Sequence, residues 1–134
     1  MVELVWDQQQ VGTATTLAGH SLCVGDDSGV PPEDLLAMSV AACLMRTCLR
    51  LAADQGIELL GFTAAAHVDG GCDAQALRIS LAAHLVASKS VPESSLRALW
   101  DRAVRASPVA VVLGAALDIE LEVTRLAEPS PRTP

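Results

Sequence analysis

One apolar segment, residues 35–54, constrains this chain more than any other feature. Leu35, Leu36, Val40, Cys43, Leu44, Thr47, Cys48 and Leu51 recur all round a helical cylinder rather than along one stripe. A helix apolar on nearly every face belongs in an interior. Its uncharged run, residues 35–45, is shorter than the roughly 20 residues of a bilayer span, so the segment reads as a core helix that other elements must enclose. Pro31 and Pro32 mark its start, because proline fits the first helical position. Glu33 and Asp34 follow, where negative charge favours the helix N-terminus. Gly56 stands where such a helix ends.

The flanking segments supply the enclosure. Residues 1–25 alternate weakly, through Val2, Leu4 and Trp6 and again over residues 16–24, and read as two or three short antiparallel strands. A turn is expected over residues 26–32. Residues 61–68 and 77–85 form a hairpin across the glycine-rich stretch 69–73, with Leu77, Ile79, Leu81, Ala83 and Leu85 on one face. Ser90-Val-Pro-Glu93 has the form of a capping box. The helix it opens is amphipathic, with Leu96, Leu99, Trp100, Ala103 and Val104 inward and Glu93–Arg97 and Asp101–Arg105 as i,i+4 pairs outside. Ser107-Pro108 reads as an ordinary N-cap and first residue of a short helix, 109–113, stopped at Gly114. Residues 117–123 alternate as a strand with one wet face. The expected architecture is α+β: an antiparallel sheet with a long buried central helix and a second helix packed on it. At 134 residues the chain predicts one domain, 1–126, and a disordered proline-rich tail, 127–134.

Composition decides which partners fit. Hydrophobic residues are 51 % of the chain and charged ones 19 %, more apolar surface than so small a fold buries alone. A second copy is the simplest cover. A net charge of −7 with 2 % aromatics and no Tyr argues against nucleic acid and anionic membranes as partners. The first seven residues lack the basic and apolar regions of a signal peptide, so a reducing, cytoplasmic setting is expected. Cys23, Cys43, Cys48 and Cys72 are accordingly read as thiols. His20, Cys23, Cys43 and Cys48 have no zinc spacing, and no metal or cofactor is expected. His20, His67 and His84 read as isolated strand residues.

The run from Pro32-Glu33 to Cys43, followed by Gly56, the hairpin, a helix and Ser107-Pro108-Val109, resembles the OsmC/Ohr family, the osmotically induced protein C and organic hydroperoxide resistance proteins. The resemblance covers about residues 10–124, and Gly19-His20 is more similar to an OsmC-like branch than to the best-studied peroxidases. It implies an intertwined homodimer that reduces organic hydroperoxides at sites on the subunit interface. One cysteine attacks the peroxide, a second resolves the sulfenic acid, and an N-terminal arginine held by a glutamate activates the thiolate. Cys43 matches the attacking cysteine and Glu33 the glutamate. Ser107 stands at the resolving position. No Lys or Arg precedes Arg46, whereas six carboxylates do, so the activating arginine has no counterpart.

Arg46 at i+3 and Arg50 at i+7 share a helical stripe with Cys43, and His20 is a further candidate for the missing cation. Cys48 lies about 140° round the helix from Cys43 and cannot pair with it. Cys72, in the hairpin loop, is the better resolving thiol; otherwise an external thiol reductant completes the cycle. Three readings stay open: a thiol redox protein using Cys43, a relative that binds a small apolar ligand at the dimer interface, and a structural or interaction domain in which Cys43 is packing.

Overall fold

A computed structural model describes residues 1–6, 11–25, 29–70 and 77–127. Residues 26–28 of the turn expected over 26–32, Cys72 and the tail beyond 127 lie outside the described residues. The contacts group the chain into two compact units, Met1–Met38 and Ser39–Pro134.

In the first unit, β1 (Val2–Trp6), β2 (Val11–Thr16) and β3 (Ser21–Gly25) form an antiparallel meander. The register pairs Val2 with Thr16 and Thr15 with Ser21. The two or three short strands expected over residues 1–25 are three, and the turn between β2 and β3 places Gly19 at φ +93°. A side chain with a Cβ seldom adopts that angle. Gly29 lies against backbone: a Cβ there would meet the Cys23 carbonyl oxygen and the Gly25 nitrogen at 2.8 Å. Only glycine permits the bridge that joins Val24 to Val30.

Helix α1 (Pro32–Asp54) begins in the first unit and runs into the second. It ends as the sequence predicts. Gly56, at φ +69°, donates its N–H to the Ala53 carbonyl at 3.2 Å, and Ile57 donates to Ala52 at 2.8 Å, the paired bonds of a Schellman cap. Continuing through Arg46 and Arg50, α1 reaches 23 residues. By length and composition alone it is therefore apolar enough to cross a bilayer, which the shorter uncharged run did not suggest. A core helix passes the same test, and Val40, Leu44 and Cys48 are wholly buried within the protein. Within one chain that burial is one-sided: Met45 and Leu49, on the opposite side, are exposed.

The second unit holds β4 (Leu59–Asp69), β5 (Arg78–Ser88), α2 (Glu93–Ala106), α3 (Pro108–Leu113) and β6 (Leu117–Leu126). The hairpin β4–β5 forms as read, and β5 alternates cleanly, with Ile79, Leu81, Ala83, Leu85 and Ala87 buried. Leu96, Leu99, Trp100 and Ala103 are the buried side of α2, and the Trp100 and Phe62 rings meet with centroids 6.1 Å apart.

Three details differ from the sequence reading. The strands make two three-stranded sheets, and β6 runs parallel to β5. The intervening α2–α3 segment returns the chain to the same end of the sheet, which a parallel pair requires. The capping box does not form: the N-cap of α2 is Pro92, without a side-chain cap. A residue before proline is driven to extended backbone, so Val91 cannot open the helix and the start slips two residues. Ser90 bonds the Ser88 hydroxyl instead, while Glu93 pairs with Arg97 at 3.1 Å. Among the ion pairs of the described residues, none joins Asp101 to Arg105.

Candidate thiol site

Cys43 and Thr47 lie one turn apart on the buried side of α1. Opposite them is the junction of α2 and α3, where Ser107 ends one helix and begins the next. Its backbone N–H donates to the Ala103 carbonyl at 2.9 Å, and its carbonyl accepts from Val111 at 3.0 Å. Held on both sides, the residue is fully buried.

A serine at an N-cap usually turns its hydroxyl back to the N–H of the second or third helical residue. Ser107 makes no such bond. Its hydroxyl donates to Cys43 Sγ at 3.0 Å, and the backbone N–H of Val109, at a position that ordinarily donates to such a cap, is among the groups that favour the thiolate. The cysteine sulfur thus takes the acceptor role that the serine oxygen normally fills. The sequence reading of Ser107 as an ordinary cap is corrected here: the position is the N-cap, but the hydroxyl belongs to the thiol.

The sulfur has a thin cover. Cys43 is 7 % exposed and meets an open groove of about 530 Å³ lined by Ser39, Ala42, Met45, Arg46, Leu49 and Val109. Burial pushes the Cys43 thiol up. The Ser107 hydroxyl, the Val109 N–H, the Arg46 guanidinium and the Thr47 hydroxyl together outweigh it, leaving the thiol below its ordinary value. Cys48, one turn deeper with no such donors, is pushed by burial up to about 11. One helix therefore carries a thiol whose ionisation its surroundings favour and another whose ionisation burial opposes.

Arg46 shares the groove with Cys43; it is exposed and has no carboxylate partner among the described residues. Arg50 is exposed and does not line the groove. Glu33 sits exposed in the first turn of α1, in the first unit. His20 is in the turn before β3, not in a strand, with its backbone N–H bonded to Thr16 Oγ1. His67 pairs with Asp69 at 3.2 Å and His84 with Thr124 at 2.7 Å. The sequence reading missed Thr47 and Val109. A threonine at i+4 from a cysteine is the one signal that pointed to the first; nothing local pointed to a backbone N–H.

Comparison with known proteins gives a consistent frame. The model of the family described as OsmC-like protein matches residues 25–122. No curated protein matches the sequence at a significant level. Among solved structures, an OsmC-like protein from Mycoplasma pneumoniae superposes with a TM-score of 0.79 at 18 % identity, over 94 % of this chain and 96 % of that one. An OsmC-like protein of unknown function from Vibrio cholerae gives 0.78 at 15 % identity, over 90 % and 97 %. The organic hydroperoxide resistance protein of Bacillus subtilis gives 0.67 at 18 % identity, over 92 % and 98 %. At these identities the likeness is one of fold.

Proposed function

This chain belongs to the OsmC-like protein family, and we propose that it is a cytoplasmic thiol redox protein that reduces organic hydroperoxides through Cys43 as a homodimer. The observation that carries the reading is the sulfur itself, which accepts a buried hydroxyl at 3.0 Å and borders a groove that a small molecule can enter. Thiolate is the reactive form of cysteine, and the donors around Cys43 favour it. Arg46 is the cation at this site in place of an N-terminal arginine. Glu33, without that arginine to hold, remains a first-turn carboxylate.

The chemistry follows from these groups. The Cys43 thiolate attacks a peroxide oxygen, an S–O bond forms, the O–O bond breaks, and the alkoxide leaves to take up a proton as the alcohol. Cys43 is then a sulfenic acid. A small external thiol condenses with it, releasing water and leaving a mixed disulfide. A second equivalent restores the Cys43 thiol and departs as the external disulfide. Ala42, Met45, Leu49 and Val109 make the groove apolar, which suits an organic rather than an inorganic peroxide. The exposed Met45 and Leu49 also support a second copy closing over this face.

The test is cumene hydroperoxide consumption with dithiothreitol as reductant. Turnover by the wild type, lost in Cys43→Ser, is expected; consumption no faster than by dithiothreitol alone overturns the reading. The apolar lining favours one other reading, retention of a small apolar ligand without chemistry. Native mass spectrometry showing a bound molecule, together with a peroxide-inert Cys43, would select it.

A further inference from the structure

We propose that Ser107 is the thiolate-holding group of this site: its buried hydroxyl fixes the Cys43 sulfur for reaction, and its lack of a sulfur passes resolution of oxidised Cys43 to a thiol from elsewhere, a small thiol entering through the groove in preference to Cys72. The inference deepens the reading of Cys43 as the reacting thiol and rests on it. Three observations converge. Ser107 is wholly buried, so its hydroxyl must find a partner inside the protein or go unsatisfied. The partner it takes is Cys43 Sγ at 3.0 Å rather than the cap bond that its own position offers. Its backbone is tied to Ala103 and Val111, so the hydroxyl stays directed at the sulfur as the groove fills and empties. A neutral thiol is a weak acceptor, and a hydrogen bond to an ion is about twice as strong as one to a neutral group. The arrangement therefore gains most when Cys43 is ionised.

The consequence for the cycle is a change of partner. A hydroxyl oxygen cannot condense with a sulfenic acid to give a disulfide, so the residue facing Cys43 does not close the cycle. The oxygen of the Cys43 sulfenic acid leaves as water when a low-molecular-weight thiol supplies the sulfur and the proton. That thiol and the hydroperoxide must use the same groove in turn.

The experiment is the pH dependence of Cys43 alkylation by iodoacetamide, followed by peptide mass spectrometry in the wild type, Ser107→Ala, Ser107→Thr and Ser107→Cys. Loss of the hydroxyl is expected to raise the titration midpoint and slow alkylation at pH 7 by about tenfold or more, with Ser107→Thr within about threefold of the wild type. In Ser107→Cys, Cys43 is expected to close a disulfide with the introduced thiol when diamide takes up the two thiol hydrogens. An unchanged profile in Ser107→Ala overturns the proposal. If that variant does not fold, a shifted profile in folded Ser107→Thr, or no disulfide in Ser107→Cys, overturns it instead. None of these readouts uses peroxide. A protein inert to hydroperoxide but with the shifted titration sinks the hydroperoxide reading and leaves the role of Ser107 standing.

Discussion

Cys43 and Cys48 sit five residues apart on one helix and differ in what surrounds the sulfur. Around Cys43, donors win over burial; around Cys48, burial acts alone. Iodoacetamide at pH 7 should therefore label Cys43 in the folded protein and spare Cys48 until denaturant is added, as peptide mapping would show. Equal labelling would contradict the assignment. The Cys43 rate should fall as pH drops through its lowered titration, since protonation removes the thiolate. Stability has the opposite dependence at Cys48. Its folded value is raised from 9.0 to about 11, so its contribution is full below pH 9 and is lost as pH rises through about 11. At 1.36 kcal/mol per unit this is worth at most about 2–3 kcal/mol, less whatever solvent screens. Urea unfolding at pH 8 and pH 11 should show the loss, and Cys48→Ala should shrink it. Sequence was a fair guide at this scale for Cys43 and Arg46, which the apolar helix and its i+3 spacing bring into one groove. It misdirected Ser107, because the serine–proline pair is a good cap signal and side-chain direction across 64 residues of chain is not encoded locally.

Among the elements, those with strong local signals were legible. Gly56 ends α1 with the two bonds expected of a left-handed cap, and β5 buries every second residue as its alternation requires. Replacing Gly56 by Ala forces a Cβ into φ +69° and should cost about 1–2 kcal/mol, read as a lower urea midpoint without a change in slope. A neutral substitution would mean that the cap relaxes. The start of α2 was misplaced because one proline outweighs a capping-box pattern: Pro92 excludes Val91 from helical backbone. The direction of β6 was illegible for another reason. Its alternation specifies which face is buried, and only the return path through α2 and α3 makes it parallel to β5.

For the whole molecule, composition carried more information than pattern. An apolar share of 51 % predicted surface left over, and Met45, Leu49 and Val112 are exposed. Sedimentation should find a dimer, and Leu49→Asp, which places a charge on that surface, should weaken association at least tenfold. A wild type that stays monomeric at micromolar concentration would remove the dimer from the account. What the molecule does rests on the chemistry of one sulfur. Its most direct test is single-turnover reaction of reduced protein with stoichiometric cumene hydroperoxide, quenched on the millisecond scale and mapped for sulfenate cysteine by cysteine. Sulfenate should form at Cys43 well before any at Cys23 or Cys48, with none of the fast phase in Cys43→Ser. Oxidation of Cys43 at the rate of a free thiol in solution would contradict it.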